Sequence, residues 1–360
     1  MKMDGLEGFV AAETVLSDVD GERGRLIIRG MTLDQIAGRK SYEEVLALLL
    51  QGLVDVPQET AALREALGRA RRALAAHLPA IDEALAALDP ADALRALIAR
   101  LPDGEDVQTA LRLLAAPAVF TPALMRLREG KRPIEPDESL GHAADMLRMM
   151  NATHPNAAQA AALDAYLVTV CDHGLNASTF AARVVASTGS GLTSAVVAGL
   201  GALKGPLHGG APGPVLDMLD AVGRPQDAAS WVEQALAGGQ RLMGFGHRIY
   251  RVRDPRADAL RTALDRLAQV GAVDEKRLRL AEAVEAAALA ALRRRKPQRR
   301  LETNVEFYTA LLLEALGIPR SAFTCIFAAG RVGGWIAHAR EQRLSGRLIR
   351  PQSTYLGPLP

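Results

Sequence analysis

Cysteine is scarce in this chain of 360 residues: there are two, Cys171 and Cys325, both in apolar surroundings. So few thiols exclude a disulfide framework and point to buried free thiols in a reducing compartment, so the expected location is cytoplasmic. No spacing of Cys or His matches a metal site, and none is expected. Aromatic residues make up 4 %. Charge of one sign is also lacking: Lys+Arg number 43 against Asp+Glu 41, a formal net charge of +2. Nothing global therefore calls for nucleic acid. The N-terminal Met1-Lys2-Met3-Asp4-Gly5 has no signal-peptide hydrophobic region. Residues 184–203 carry no charge, but Ser187-Thr188-Gly189-Ser190-Gly191, Thr193 and Ser194 interrupt them. A spanning helix needs ~20 predominantly apolar residues, so this stretch reads as two buried helices with a turn between them.

What is present is helix-forming. Ala, Leu and Arg are abundant, and 49 % of the chain is hydrophobic, enough to bury a sizeable core and to form two domains. Phe9 to Leu16 and Arg25 to Arg29 are extended-type runs around Asp18-Val19-Asp20-Gly21, which predicts a small hairpin. Beyond it the helical period dominates. Ala61, Leu63, Leu67, Ala70, Leu74 and His77 recur at helical spacing. Residues 42–52, 87–100, 105–115, 138–150, 157–171, 226–238, 256–269 and 275–295 read the same way. No strand–helix alternation and no fixed repeat appears, so the expected class is all-α.

Five segments place polar groups inside apolar, glycine-punctuated sequence. Asp172-His173-Gly174-Leu175-Asn176-Ala177-Ser178-Thr179 contains Asn176 or Ser178 as a helix N-cap, with His173 just before it. Lys204-Gly205-Pro206-Leu207-His208-Gly209-Gly210 and Gly244-Phe245-Gly246-His247-Arg248 each carry a histidine in a loop that glycine lets approach a ligand closely. Asn304-Val305-Glu306-Phe307-Tyr308 sets one carboxylate among apolar residues. In Phe327 to Trp335 a single Arg331 interrupts a run of small residues, and buried there it needs an anionic partner. Taken singly, each histidine could be a hydrogen-bonded structural residue, and Glu306 or Arg331 could belong to a structural ion pair. Together, several imidazoles, one carboxylate and several arginines suit an anionic substrate and proton transfer at carbon. The basic run Arg293, Arg294, Arg295, Lys296, Arg299 and Arg300 reads either as a solvated helix end or as a phosphate contact.

These segments resemble the citrate synthase family, including its 2-methylcitrate synthase relatives and in particular the short, dimeric bacterial type. The likeness starts at Gly5-Leu6-Glu7-Gly8 and runs through Val10 to Thr14 and Ser17-Asp18-Val19-Asp20-Gly21. It continues in Asn176 to Phe180, Gly205 to Gly210, Gly244 to Arg248, Asp254-Pro255-Arg256, Asn304 to Tyr308 and Arg350-Pro351. The resemblance implies an all-α, citrate synthase-like two-domain helical fold with a small N-terminal β-hairpin. A large, dimer-forming domain would comprise 1–209 and 318–360, and a small inserted domain, 210–317, would close over the substrates. It further implies condensation of acetyl-CoA, or propionyl-CoA, with oxaloacetate, releasing CoA without a cofactor or metal. Glu306 would take the acyl proton, His208 stabilise the enol and His247 activate the ketone. His173, Arg256 and Arg331 would bind oxaloacetate, with Arg350 reaching into the neighbouring subunit's site of a homodimer. Asn176 and Ser178 would support His208. Arg251, Asn304, Gly244, Gly246, Arg295, Lys296, Arg299 and Arg300 would meet CoA. No nucleic acid or membrane is implied.

The pattern departs from the family in places. Glu306 stands where Asp is usual, and Leu301-Glu302-Thr303 where Leu-Tyr-Pro is commoner. Ala211-Pro212-Gly213 replaces Ala-Asn-Glu. Glu is one methylene longer than Asp, and a misplacement of about 1 Å can cost ~100-fold in rate. The alternative reading is therefore a weakly active or non-catalytic paralogue that binds oxaloacetate or CoA in a regulatory role.

Overall fold

The computed structural model describes residues 5–6, 8–209, 212–247 and 249–358, with only the backbone of Pro212. Glu7, Gly210, Ala211 and Arg248, named above in motifs, lie outside the described residues.

In chain order the helices begin with α1 (Leu33–Ile36), α2 (Tyr42–Leu50), α3 (Thr60–Leu74), α4 (Glu83–Ala87), α5 (Pro90–Ala99), α6 (Val107–Arg128), α7 (His142–Asn151) and α8 (Ala157–Val170). They continue with α9 (Ala177–Ser187), α10 (Leu192–Leu203), α11 (Pro212–Val222), α12 (Ala228–Ala237), α13 (Pro255–Gln269), α14 (Glu275–Arg295), α15 (Val305–Ala315) and α16 (Phe323–Ser345). The expected all-α class is what the structure has. Residues 184–203 form the end of α9, a turn at Gly189 with φ +91°, and α10.

The hairpin differs from the expectation. Strands β1 (Ser17–Asp20), β2 (Arg25–Ile28) and β3 (Met31–Thr32) form a three-stranded antiparallel sheet in that order, with Ser17 opposite Ile28 and Val19 opposite Leu26. Asp18 to Asp20 are strand, not turn, and Phe9 to Leu16 is not part of the ladder. The reason lies in where its donors go. Thr14 Oγ1 and Val15 N–H bond to Glu341 Oε1 of α16 at 3.1 and 2.9 Å, so this extended stretch is pinned to a helix, and only its last residue, Leu16, bonds toward the hairpin, its carbonyl accepting from Arg29 N–H at 2.8 Å.

Helix α6 also runs further than its periodic pattern, through Pro117 and Pro122. An interior proline costs about 3 kcal/mol, but every residue from Thr109 to Met125 except Arg112 is buried, and packing on α3, α7 and α16 offsets it. This helix is long and apolar enough to cross a membrane, and 83 % of its most apolar window is buried inside the fold.

Helix α16 is central, packed on α6, α8, α9 and α10. Glycines let it touch α8 at backbone distance. A Cβ at Gly330 would lie 2.5 Å from Val170 Cγ2, and one at Gly334 2.3 Å from the Cys171 carbonyl oxygen. Helices α11 to α15 pack largely among themselves, with α13 also lying on α8.

Candidate active site

Four pieces of chain meet at one place. The first is the start of α9. Asn176 Oδ1 accepts from Ser178 and Thr179 N–H at 3.2 and 3.1 Å, capping the helix. His173 just before it is buried, 6 % exposed. The second is α16, whose close approach to α8 puts Arg331 where Nε donates to Val170 O at 2.6 Å.

The third and fourth are stitched together by backbone. Gly246 N–H bonds Glu302 O at 2.8 Å, Asn304 N–H bonds Gly244 O at 2.9 Å, and Asn304 Nδ2 donates to Gly246 O at 2.8 Å. Gly244 and Gly246 take φ of +84° and +80°, conformations that favour glycine. Asn304 then caps α15, accepting from Glu306 N–H at 3.0 Å. Asp254 is the hub between them. Its Oδ1 accepts from Arg256 N and Nε, both at 3.0 Å, and its Oδ2 from Arg256 Nη2 at 2.8 Å and Val305 N at 3.2 Å.

The result is a compact polar cluster. The rings of His173 and His247 lie 5.8 Å apart, and Tyr250 sits 4.8 Å from His247 and 5.6 Å from His173. The Tyr250 hydroxyl is 3.1 Å from His173 Nε2. His247 Nδ1 accepts from Ile249 and Tyr250 N–H at 3.1 and 3.0 Å. Its proton is therefore on Nε2, which lies 3.1 Å from Arg256 Nη2. Two donors face each other there, an arrangement that an acceptor oxygen sitting beside both of them would satisfy. On the far side, the guanidinium of Arg331 stacks 4.9 Å from the Phe327 ring, itself 6.5 Å from the ring of His208.

Burial and the two guanidiniums set the charge state. Burial, then Arg331 and Arg256, push His208 down to about 4. Burial and Arg256 do the same to His247, against Asp254. His173 is driven well below its ordinary value by burial, Arg256 and Arg331. Burial raises Glu306, which Arg256 and Arg241 partly counter. Burial lowers Arg331 to about 10, opposed by Asp172. Arg256 instead has its Asp254 partner, which overcomes burial and raises it. Among the described residues Arg331, 1 % exposed, has no carboxylate within salt-bridge distance, and Nε is its one hydrogen-bonded nitrogen. The cluster is thus three neutral imidazoles around two buried cations, which suits a small dianion.

Of the residues singled out from sequence, His173, His208, His247, Arg256, Arg331, Glu306, Asn176, Ser178, Asn304, Gly244 and Gly246 converge here. Arg350 does not: it is exposed in the tail after α16, which is held by Ile349 N–H to Ser187 Oγ at 3.1 Å. Arg251 is exposed, its N–H bonded to Gly21 O at 2.9 Å. In the basic run Arg294 and Arg295 pair with Glu233 of α12, the latter at 2.7 Å, whereas Lys296, Arg299 and Arg300 are exposed. Sequence reasoning missed Tyr250, Asp254 and Trp335 as members of the site. Asp254 was findable, since Asp-Pro before a helical run is an N-cap signal. Nothing local marks Tyr250 or Trp335, which arrive by tertiary packing.

Comparison with known proteins follows the same lines. A sequence profile described as citrate synthase, C-terminal domain, matches residues 5–352. A citrate synthase of Haloferax volcanii is 41 % identical, over 98 % of this chain and 95 % of that protein. A 2-methylcitrate synthase of Mycobacterium tuberculosis is 35 % identical over 98 % and 90 %. The citrate synthase of Thermoplasma acidophilum, solved as a ternary complex with carboxymethyl coenzyme A and oxaloacetate, superposes with a TM-score of 0.87 at 27 % identity, covering 99 % of this chain and 97 % of that one.

Proposed function

The chain belongs to the citrate synthase family and is a citrate synthase-type enzyme, and on that premise we propose how its residues divide the reaction. Oxaloacetate enters between the two buried cations. Arg256 and Arg331 take its carboxylates, His173 hydrogen-bonds it, and its ketone oxygen accepts from both His247 Nε2–H and Arg256. The partner subunit's Arg350 completes the site in a homodimer, which is why the residue is exposed on its own chain. Residues 210–317 act as the small domain that closes and excludes water.

Glu306 removes a proton from the carbon next to the acyl thioester carbonyl, and the released electron pair moves toward the thioester oxygen beside His208. The enol carbon attacks the ketone, and His247 gives its Nε2 proton to the new alkoxide. Water then cleaves the thioester and frees CoA. Burial raises Glu306 and makes it a better base than an exposed carboxylate. CoA lies along Gly244, Gly246, Asn304 and Arg251, with Lys296, Arg299 and Arg300 nearest its phosphates. Arg295, engaged by Glu233, is the weakest of these contacts. The buried thiols Cys171 and Cys325 fit a reducing compartment such as the cytoplasm.

The single observation that carries this reading is Arg331, a buried cation without a carboxylate partner among the described residues, close enough to His173 and His208 to hold both neutral. A thiol-release assay tests it. CoA release is expected only when oxaloacetate and an acyl-CoA are both present. The kcat/KM ratio of acetyl- to propionyl-CoA assigns the donor, one methylene being worth ~1–3 kcal/mol in an apolar pocket. No turnover with either donor, beside measurable oxaloacetate binding, would overturn the catalytic roles.

A further inference from the structure

The hydroxyl of Ser178 makes three hydrogen bonds. It lies 2.7 Å from Asn176 Oδ1, 3.1 Å from Trp335 Nε1 and 2.8 Å from His208 Nε2. A serine hydroxyl has one proton to give and two lone pairs. The indole N–H can only donate, so it takes one lone pair. The orientation of the Asn176 amide is set by its partners on both sides, backbone N–H groups at the oxygen and the Gly174 carbonyl at the nitrogen. Its Oδ1 accepts from Ser178 and Thr179 N–H, and its Nδ2 donates to Gly174 O at 3.2 Å and Thr179 Oγ1 at 3.0 Å. The atom facing Ser178 is therefore an acceptor, and the serine proton belongs to it. One lone pair is left, and His208 Nε2 must donate into it. Were the serine proton turned to His208 instead, two oxygen acceptors would stand 2.7 Å apart.

We propose that Asn176, acting through Ser178, holds the unliganded His208 as the neutral Nε2–H tautomer, and that His208 becomes an enol donor only when its proton moves to Nδ1. The inference rests on the role given to His208 above. In the resting form Nδ1 carries a lone pair, which repels a developing enolate oxygen. In the switched form one proton leaves Nε2 and another arrives at Nδ1, exchanged with water before the site closes, so the ring stays neutral. Ser178 then turns its proton from Asn176 to Nε2. Asn176 keeps its two backbone donors, and Trp335 keeps its bond to Ser178. The nearby Arg331 and Arg256, which with burial hold His208 at about 4, make the doubly protonated ring an unfavourable way round the switch. Asn176 is a positioning residue here, since it touches neither substrate nor the reacting atoms.

Nitrogen NMR of the full-length enzyme with labelled histidine reads this directly, with His208 assigned by its loss in His208→Asn. In the unliganded protein Nε2 is expected to be protonated and Nδ1 bare; in the ternary complex with oxaloacetate and carboxymethyl-CoA the pattern reverses. Asn176→Gly keeps a competent helix cap while removing the acceptor, so the unliganded tautomer ratio should move about tenfold toward Nδ1–H, the worth of one hydrogen bond. Asn176→Asp keeps both cap and acceptor and should keep the wild-type pattern. If the glycine variant does not fold, Ser178→Ala serves instead, with the same loss of Nε2 preference. Nδ1–H in the unliganded enzyme, an unchanged ratio in Asn176→Gly or in its replacement, or no reversal in the ternary complex would each overturn the proposal. Because the readout needs no turnover, failure of the CoA-release assay leaves it standing, and its failure leaves the catalytic roles of Glu306 and His247 untouched.

Discussion

The two loop histidines are mounted in different ways. His208 leans on a hydroxyl that is itself held by two side chains, Asn176 of the α9 cap and Trp335 of α16, the latter fully buried. His247 is held at Nδ1 by backbone N–H groups of Ile249 and Tyr250, in a loop sewn by further backbone bonds to the start of α15. A backbone N–H cannot reorient its proton, so His247 always shows the substrate a donor. A serine hydroxyl can rotate, so the proton of His208 is adjustable. In the reaction proposed above, the fixed mount suits the step that must deliver a proton to an alkoxide, and the adjustable one suits the thioester oxygen, whose charge changes during the reaction.

The heaviest blow to the backbone-mounted side is Glu306→Gln. It keeps the shape of the side chain and the Asn304 cap but removes the carboxylate proposed as the base. General-base catalysis contributes ~10²–10⁴-fold, so kcat should fall by that much while calorimetry still detects oxaloacetate binding. Retained turnover would take Glu306 out of the mechanism. Next is Asp254→Asn. The carboxylate receives both Arg256 and Val305, so neutralising it strands a buried guanidinium and loosens α15 together. Loss of one partner of a buried pair costs about 3–5 kcal/mol. Urea unfolding should show that loss and oxaloacetate KM should rise; a variant as stable as wild type would mean that backbone bonds alone hold this side.

How much of this was legible in the sequence follows the same division. The helices were, because periodic apolar residues at 61–74 and 275–295 decide which face is buried. The glycine loops of His208 and His247 and the capping Asn176 were legible because turns and caps are local chemistry. Phe9 to Leu16 was misread because Thr14 and Val15 within it are claimed by Glu341, more than 300 residues away. Tyr250 and Trp335 were invisible for a related reason: an apolar-looking aromatic becomes part of a site only through what tertiary packing sets against its one polar atom. The end of α6 was hidden by Pro117 and Pro122, where burial overrides local propensity.

Glu306→Asp sharpens the comparison further. The N–H groups of Asn304, Val305 and Glu306 are all engaged, by Gly244 O, Asp254 and the Asn304 side chain. The backbone therefore cannot follow a shorter acid, and a retreat of about 1 Å costs ~100-fold. A drop of ~10–100-fold in kcat with oxaloacetate KM little changed is expected. Unchanged kcat would show a segment loose enough to adjust, and the contrast between fixed and adjustable mounts would weaken.

Electrostatics should not distinguish the mounts. His208 and His247 are both pushed down to about 4, whereas in the unfolded chain a histidine titrates near 6.5. Between those values the unfolded state binds a proton that the folded site refuses. The neutral rings therefore favour folding above pH ~6.5, and that advantage fades as pH falls toward 4. His247→Asn removes one such group, so relative to wild type it should gain about 2 kcal/mol from pH 6.5 to 4.5, after discounting for partial exposure. His208→Asn should gain over the same window. Urea unfolding of the three proteins at both pH values checks this, and a gain in one variant alone would mean the two rings differ in more than how they are held.

The smallest effects belong to the basic run, which is part of neither mount. Glu233 pairs with Arg294 and Arg295 on the surface, and exposed ion pairs contribute about 0–1 kcal/mol. Glu233→Gln should therefore leave unfolding free energy within ~1 kcal/mol of wild type and kcat unchanged. Replacing Lys296, Arg299 and Arg300 with Ala removes the exposed cations that Glu233 does not occupy. If these reach the CoA phosphates, acyl-CoA KM rises several-fold and the rise shrinks with added salt, because charges exposed to solvent are screened beyond ~10 Å at 0.1 M. Should kcat fall instead, the run would be acting on the Leu301–Glu306 segment that follows it, and the backbone-held side of the site would extend further along the chain than the hydrogen bonds at Glu302 and Asn304 now place it.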